Sequence, residues 1–306
     1  MAGSPYTDRM TGPLNLSAPS ALEYFSSLVA DDASLPLVEA AVSIAQDEHP
    51  QLDVQSVLAE IDGLADTLRR RIPADVVPLH RLRWMNRYFF HELGFAGNVN
   101  DYYAVSNSHL HAVLQTRRGI PITLALLYIE LAGQVGLPVR GVSFPGHFLV
   151  KLSLPGNGRE GDSRGEVVMD PCTGKSLSRD ELEEMLQPYK RSQGLTGDFD
   201  APLGLFLRTA SARDVLARML HNLKEIHRSA ADWPRLLAVL HRLVILLPNA
   251  HEERRDRALA LAELGQFESA ADDLAVYLRH HPDAVDAAAL AGRQAAWRGS
   301  TRRRLH

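Results

Sequence analysis

Apolar residues recur every three or four positions through most of the chain, which is the spacing of α-helices that bury one face. The first stripe consists of Leu35, Leu37, Ala40, Ala41, Ile44 and Ala45. The same spacing predicts a second helix over Val54–Arg71 and a third over residues 78–93. Residues 122–135 are apolar almost without interruption and predict a helix that is buried all round. Pro121 lies in its first turn, where the missing N–H costs nothing.

Three short segments that follow this helix have the length and composition of strands. They are Val139–Phe144, Phe148–Leu154 and Glu166–Met169, and the Gly-rich connection between the last two is predicted to be a flexible hairpin loop. Another helix is predicted after Ser178, because Ser178 and Glu181 have the spacing of a capping box. The pattern therefore predicts an α+β fold that is mostly helical and contains a small antiparallel sheet.

The last third of the chain repeats itself with a period of 34 residues. Ala231-Asp232-Trp233 and Gly265-Gln266-Phe267 are equivalent, as are the pairs Leu236 and Ala270, Leu240 and Leu274, Leu243 and Tyr277, and Pro248 and Pro282. This period, with a small residue and an aromatic residue at the turn and a proline at the end, is typical of tetratricopeptide repeats. We predict two repeats, over residues 217–250 and 251–284, with a capping helix; the alternative is two unrelated helical hairpins.

These patterns predict four regions. Residues 1–17 form a disordered lead, residues 18–203 a helical N-terminal segment and core, residues 204–298 the repeats and their capping helix, and residues 299–306 a basic tail. Two repeats expose too much apolar surface to stand alone, so we expect them to dock on the N-terminal part. The arginines of the tail form either a solvated terminus or a binding patch.

The composition narrows the classes of partner. The hydrophobic fraction of 45% and the charged fraction of 23% are ordinary for a globular protein, and the net charge of −4 gives no general reason to expect nucleic acid or an anionic membrane. A single Cys excludes an internal disulfide and any multi-Cys metal site. The N-terminus lacks the apolar core of a secretory signal, and no apolar run approaches the roughly 18 residues of a membrane span. We expect a cytoplasmic protein.

The segment that contains the buried helix and the strands has the layout of a papain-like catalytic triad. His147 opens one predicted strand and Asp170 ends the next, so neighbouring strands can bring the two side chains together. A thiol nucleophile would need a Cys in the first helical turn, where the helix dipole lowers its pKa. Pro121 stands there instead, and Cys172 lies on another element, as a residue near the same pocket or as a small buried side chain. His147 and Asp170 are either a catalytic pair or a structural histidine satisfied by a carboxylate.

Other residues offer further candidates. Thr123 lies in the first helical turn, as a weak nucleophile or as a residue that bonds nearby backbone. Arg117 and Arg118 precede the helix and are either anion-binding residues or solvated loop charges. A metal site would need further histidines beside the pair, and His109 and His111 are the candidates. Their spacing is not that of close ligands, so we predict neither a metal nor a cofactor.

These motifs resemble the transglutaminase-like core of bacterial SirB-type proteins, in which tetratricopeptide repeats follow the core. The matching segments are Asn100-Asp101-Tyr102-Tyr103, Asn107-Ser108-His109-Leu110, Arg117-Arg118-Gly119-Ile120-Pro121-Ile122, Pro145-Gly146-His147-Phe148-Leu149-Val150 and Asp170-Pro171. The resemblance implies that His147 and Asp170 occupy the catalytic positions, while Pro121 replaces the catalytic cysteine. It also implies a regulatory or transglutaminase-like role and a set of candidate binding residues: Arg117, Arg118, Asn100, Tyr102 and Asn107.

Two principal functions follow from this combination. The first is a non-catalytic protein, a pseudo-enzyme, that binds a protein or peptide through its repeats, its cleft or both. The second is a hydrolase or amidase of altered chemistry, in which His147 and Asp170 activate water or Thr123. A third, purely structural role would require a collapsed cleft with Pro121 and Ile122 packed over His147.

Overall fold

The computed structural model describes residues 19–153, 165–197 and 200–304. The disordered lead predicted for residues 1–17 and most of the predicted hairpin loop, over residues 154–164, lie outside the described residues. The described part is mostly helical and contains two small sheets, which confirms the predicted fold class.

The N-terminal part consists of helices α1 (Ala21–Leu28), α2 (Leu37–Ser43), α3 (Val54–Arg71) and α4 (Pro78–Asn86). A 3-10 turn over Ile44–Asp47 continues α2, and a π-helical turn over Arg87–Glu92 continues α4. Helix α3 has the predicted bounds because both of its ends are stabilised. Asp53 caps its first turn by accepting the N–H groups of Gln55 and Ser56, and three arginines lie in its last turn, at the negative end of the dipole.

The apolar run forms the buried central helix α6 (Pro121–Gln134). A short helix that the sequence did not indicate, α5 (Leu110–Thr116), precedes it, together with a parallel pair of two-residue strands, β1 (Ala96–Gly97) and β2 (Arg118–Gly119). Gly136 follows α6 with a φ of +76°, the left-handed conformation that a C-terminal glycine adopts without strain. Helix α6 is the element on which most of the N-terminal core is assembled.

Strands β3 (Val139–Val142), β4 (Leu149–Ser153), β5 (Glu166–Met169) and β6 (Ser176–Leu177) form an antiparallel sheet in chain order. One face of the sheet, including Phe148 and Val150, packs into the core around α6. The other face packs against α7 (Arg179–Ser192), which begins at the predicted capping box of Ser178 and Glu181. The sheet therefore lies between α6 and α7.

The C-terminal part is helical: α8 (Leu203–Phe206), α9 (Ala212–Ser229), α10 (Trp233–Leu246), α11 (His251–Glu263), α12 (Phe267–His280) and α13 (Ala287–Arg304). Helices α9 and α10 form the first repeat hairpin and α11 and α12 the second. The first hairpin begins at Ala212, before the predicted start at residue 217. Helix α13 continues to Arg304, so its backbone extends through most of the segment predicted as a tail.

The 34-residue period is visible in the backbone of both turns. Ala231 and Gly265 have φ angles of +51° and +73°, respectively, so both turns use the left-handed region at the same repeat position. The next N–H in each turn closes on the preceding helix, from Asp232 to the carbonyl of His227 and from Gln266 to that of Leu261, both at 2.9 Å. The two hairpins are thus equivalent in structure as well as in sequence.

The first repeat shares one hydrophobic core with the N-terminal helices, as the docking prediction required. Leu216, Leu220 and Leu240 from α9 and α10 belong to the same buried cluster as Phe25 of α1 and Leu126 of α6. The second repeat and α13 form a separate cluster of their own. The first hairpin is therefore an integral part of the N-terminal fold, while the second extends from it.

Polar contacts cross the same junction. Glu48, after the 3-10 turn, lies 3.5 Å from His227 and 3.1 Å from Arg235 of the first repeat. It also lies 3.7 Å from His109, a buried residue at the start of α5. Burial lowers the pKa of His109 to about 4, against the opposing influence of Glu48. In the described part of the chain, no helix is long and apolar enough to cross a membrane.

Candidate functional site

His147 is exposed to solvent in the turn between β3 and β4. Strand β4 begins at Leu149, one residue after the predicted start at Phe148, because Gly146 adopts a φ of +73° and the His147 N–H bonds to the carbonyl of Phe144 at 3.0 Å. The turn thus directs His147 away from the core, while its neighbour Phe148 is buried. His147 is not the buried structural histidine that the sequence left open.

Asp170 directly follows β5, and its carboxylate organises the turn that comes next. One oxygen accepts the backbone N–H of Cys172 at 2.9 Å, and the other accepts the hydroxyl of Thr173 at 2.8 Å. This is the local bonding of an aspartate that starts a turn. The carboxylate therefore has partners of its own within three residues.

Both candidate catalytic residues lie beyond the paired part of β4 and β5. The ladder between these strands ends at Val150 and Met169, so His147 and Asp170 belong to the turns at its end. Within the described ranges, no hydrogen bond or ion pair joins His147 to Asp170. The predicted hydrogen-bond contact between the pair is absent from this arrangement.

The start of α6 is built for packing. Thr123 is fully buried, and its hydroxyl accepts the N–H of Ile120 at 3.2 Å and donates to the carbonyl of Asn107 at 2.8 Å. Gly119 is required beside it, because a β-carbon there would come within 2.8 Å of the Thr123 Oγ1 atom. Pro121 is the first residue of α6. The sequence left two roles open for Thr123, a weak nucleophile and a residue that bonds nearby backbone. Its contacts are those of the second role.

Cys172 lies against β1. Its Sγ and Cβ atoms are so close to Gly97 that a β-carbon at residue 97 would approach both at 3.2 Å. Burial raises the pKa of Cys172 to about 12, and the neighbouring Asp170 carboxylate contributes to the shift. A thiol with such a pKa is almost entirely protonated at neutral pH, and a protonated thiol is a poor nucleophile.

The two arginines before α6 are held by neighbouring backbone and rings. Arg117 lies in the left-handed region at a φ of +59°, and its guanidinium stacks on the ring of Phe95 at 4.7 Å. Arg118 donates to the carbonyls of Gly94 and of Arg117 at 2.7 and 2.9 Å. Both side chains contact the segment before β1. Neither is among the residues that line the largest cavity described below.

A loop over residues 98–104 carries the remaining candidates, and Asn107 holds it in place. The buried Asn107 amide donates to the carbonyls of Asp101 and Tyr102 at 2.7 and 3.1 Å and accepts from the amide of Asn98 at 3.0 Å. Asn100 is exposed at the tip. Asn107 therefore fixes the backbone that presents Tyr102.

The largest described cavity lies between this loop, the start of α6 and helix α9, and has a volume of about 600 Å³. Its lining residues are Tyr102, Tyr103, Ser108, Ile120, Asn222, Glu225, Ile226, Ser229 and Ala230. The residues from α9 recur at three-to-four spacing and form one helix face. The cavity is thus shared between the N-terminal core and the first repeat.

Arg218 connects this cavity to the turn that carries His147. It lies one helical turn before Asn222, and its guanidinium donates to the Ser143 hydroxyl at 2.9 Å and to the carbonyl of Phe144 at 3.1 Å. It also lies 5.7 Å above the ring of Phe148. Helix α9 is thereby anchored beside the His147 turn.

Within the part of the chain that the structure describes, no group of three or more His, Cys, Asp or Glu side chains is arranged to hold a metal ion. His109 and His111, which the sequence offered as extra metal ligands, both pack against His49. The ring centroid of His49 lies 5.9 Å from that of His109 and 4.8 Å from that of His111.

Of the candidate binding residues, Tyr102 lines the cavity and Asn107 supports its loop; Ser108, Asn222 and Glu225 also line the cavity but were not among the candidates. Ser108 lies inside one of the quoted motifs, so its position was visible but its role was not. Asn222 and Glu225 belong to α9, whose polar face is typical of any solvated helix. Only the docking of α9 on the core turns this face into a cavity wall.

Comparison with known proteins agrees with this architecture. Residues 55–221 match the model of the transglutaminase-like superfamily, and residues 223–294 match a tetratricopeptide repeat model. The boundary between the two matches falls inside α9, the helix that belongs to both parts of the core. No solved structure matches the chain.

Several relatives are bacterial. A UPF0162 protein of Xylella fastidiosa is 37% identical over 255 residues, which cover 82% of this chain and 86% of that protein. A UPF0162 protein of Pseudomonas aeruginosa is 28% identical over 222 residues, covering 72% of this chain and 76% of the relative. F-box only protein 21 of Homo sapiens is 38% identical over 103 residues, 33% of this chain and 16% of that protein. The chain therefore belongs to the UPF0162 family, whose transglutaminase-like core is followed here by tetratricopeptide repeats.

Proposed function

We propose that this protein is a non-catalytic, transglutaminase-like binding protein, a pseudo-enzyme that acts by recognising a segment of another protein. The observation that carries the proposal is the bonding of the Asp170 carboxylate to Cys172 and Thr173, combined with Pro121 at the nucleophile position. The residues of the ancestral site serve packing and turn formation, while a cavity lies open beside them.

The chemistry of the possible nucleophiles supports this proposal. The Thr123 hydroxyl is fully buried and bonded to backbone, so a substrate has no access to it. The Cys172 thiol has a pKa of about 12 and lies beside a carboxylate, the opposite of the electropositive setting that activates cysteine. An activated nucleophile needs a base that takes its proton. Thr123 bonds only to backbone groups, and the Asp170 carboxylate beside Cys172 raises the thiol pKa and is itself bonded to Thr173.

The repeats support a role in recognition. Tetratricopeptide repeats form helical surfaces on which other proteins dock. The first repeat lines the cavity next to the degenerate site, and the second extends beyond the shared core. A protein or peptide partner is therefore the proposed ligand, bound by the cleft, by the repeats or by both.

The alternative is a hydrolase or amidase that uses His147 and Asp170 with water. The exposure of His147 favours it, because a general base must reach solvent or substrate. The missing bond to Asp170 weakens it, since an unoriented imidazole loses much of its efficiency as a base. The proposal also includes the SirB-type assignment, which the order of the motifs supports. It includes a cytoplasmic location as well, which the single free cysteine supports.

Peptides from a digested bacterial proteome test the proposal directly. The wild-type protein and a His147→Ala variant are each incubated with the peptides, and mass spectrometry compares the retained peptides and all changes in mass. Because His147 is exposed, the substitution leaves the fold intact and serves as a matched control for catalysis.

We expect the wild-type protein to retain a reproducible peptide set without cleaving, deamidating or cross-linking it. Products that form with the wild type and not with His147→Ala would instead establish the hydrolase alternative. A protein that retains no peptides above the blank matrix would contradict the binding role.

A further inference from the structure

We propose that the cavity between the 98–104 loop and α9 binds a basic side chain, lysine or arginine, in a peptide segment of a partner protein. The inference rests on the proposed binding function and assigns it a place and a ligand chemistry. The cavity of about 600 Å³ falls in the range of specific ligand sites. Its walls come from both parts of the chain, so it exists only because the first repeat is docked.

A buried hydroxyl in the cavity wall lacks a partner. Ser108 is 1% exposed, lines the cavity, and its Oγ atom makes no hydrogen bond to any described residue. A buried polar group without a partner costs roughly 1–3 kcal/mol, so such groups are rare unless something satisfies them. The neighbouring Asn107 and Thr123 are fully bonded, which sets Ser108 apart. A ligand atom that exchanges a hydrogen bond with Ser108 would remove this cost.

The mouth of the cavity exposes large apolar side chains. Val99 is 88% exposed, Tyr102 51% and Tyr103 77%, and all three lie in the loop over residues 98–104. The two tyrosine rings contact edge to face at 5.3 Å. Clustered exposed aromatics mark binding surfaces rather than solvent-facing loops. These exposed side chains continue beyond the cavity. A peptide segment can contact both the cavity and this extension, whereas a small molecule would fill only the cavity.

The charge of the cavity selects a cation. Glu225 is the one charged residue of the described lining, and it is exposed to solvent. Arg228 bridges Glu225 at 3.3 Å and Asp256 at 2.7 Å through its two terminal nitrogens. The pair with Glu225 is exposed and therefore weak, so a basic ligand can share or replace this contact.

The arginines of the core around the cavity already have contacts of their own. Arg117 and Arg118 contact the segment before β1, and Arg218, which interacts electrostatically with Tyr102, donates to Ser143 and Phe144. A lysine or arginine side chain fits instead, because its alkyl stem packs on apolar walls such as Ile120 and Ile226. Its charged end then meets the tyrosine faces and Glu225.

The test uses peptides made by a protease that cleaves after acidic residues, so that lysine and arginine remain inside the peptides. Immobilised wild type is compared with Tyr103→Ala, Glu225→Lys and a control, Glu184→Lys. Glu184 is an exposed residue of α7 away from the cavity, and its substitution changes the net charge by the same amount. Thermal unfolding confirms that all four proteins are folded.

We expect the peptides retained by the wild type to be enriched in lysine or arginine relative to the input. Tyr103→Ala should reduce their retention by about tenfold, the loss of one aromatic contact with a cation. Glu225→Lys should abolish the preference for basic residues, and Glu184→Lys should leave it unchanged.

Three results would overturn the inference. A retained set without enrichment of basic residues would exclude the ligand chemistry. Retention that is equal in all four proteins would exclude the cavity and place the binding elsewhere, for example on the second repeat, with the proposed function intact. Retention of nothing by the wild type would contradict the cavity and the proposed function together.

Discussion

Arg242 of α10 forms a bidentate ion pair with Asp47, with Nε–Oδ2 and Nη2–Oδ1 distances of 2.6 and 2.8 Å. The arginine is fully buried and also stacks 4.8 Å above the ring of Phe25. One contact therefore ties the first repeat to the N-terminal helices, at the centre of the core that they share. The cavity proposed as a binding site depends on this docking.

Removal of the Arg242 side chain should lower the free energy of unfolding. Arg242→Ala leaves the Asp47 carboxylate without its partner, and breaking a buried pair costs about 3–5 kcal/mol. Arg235→Ala is the matched control, because Arg235 lies on the same helix but is exposed and pairs with Glu48 and Asp232 at the surface. Urea unfolding measures the change in the free energy of unfolding for both variants. Equal losses of about 1 kcal/mol or less would contradict the role given to Arg242.

Acid should weaken the same junction through His109. Its pKa is lowered to about 4, so the folded state resists a proton that the unfolded state accepts near pH 6.5. Stability is therefore fully present above pH 6.5 and is lost as the pH falls from about 6.5 to about 4. Four groups face His109. They are Glu48 and His49 after the 3-10 turn, His111 in α5 and His227 in α9.

Between pH 7 and pH 5 we expect His109 to account for a loss of about 1–2 kcal/mol in the free energy of unfolding. A His109→Gln variant should be less stable at pH 7 but should show a shallower decline. Urea titrations of both proteins at the two pH values check this. An equal decline in the two proteins would show that His109 is not responsible.

Asn107 should control the loop that presents the tyrosines. Asn107→Ala leaves the carbonyls of Asp101 and Tyr102 without their donor, which should cost about 1–3 kcal/mol and free the loop. Amide hydrogen exchange in residues 98–104 should accelerate, and peptide retention should fall. Asn100→Ala, at the exposed tip of the same loop, should change neither. Unchanged exchange in the Asn107 variant would refute this assignment.

The single thiol should be nearly inert in the folded protein. With a pKa of about 12, the thiolate fraction of Cys172 at pH 8 is far below that of an ordinary cysteine, so its exchange with a disulfide reagent should be at least about a hundredfold slower. The rate of reaction with Ellman's reagent, before and after unfolding in guanidinium chloride, measures this ratio. Similar rates in both states would mean that Cys172 is an accessible, activated thiol.

Much of the fold could be predicted from local signals. Asp53 before α3 and Ser178 before α7 are side chains that satisfy helix N–H groups directly, so they mark helix starts. The left-handed turns at Ala231 and Gly265 follow from the repeat period. Helix α5 was missed because its seven residues follow directly on a loop rich in Gly and Asn.

The site was harder to predict, since its geometry depends on long-range packing. His147 and Asp170 have the right order along the chain, but both lie in turns, and the turn after Asp170 binds its carboxylate to Cys172 and Thr173. Ser108 and Glu225 come together only when α9 docks on the core. Such contacts leave no local trace in a single sequence.

Binding of a retained basic peptide in the cavity, without any reaction, is tested most directly by NMR on isotopically labelled protein, with the mass of the peptide recorded before and after. We expect chemical-shift changes at Tyr102, Tyr103, Ser108 and the Asn222–Ser229 face of α9, and a peptide of unchanged mass. Shift changes confined to the second repeat, or a peptide that is cleaved or deamidated, would contradict it.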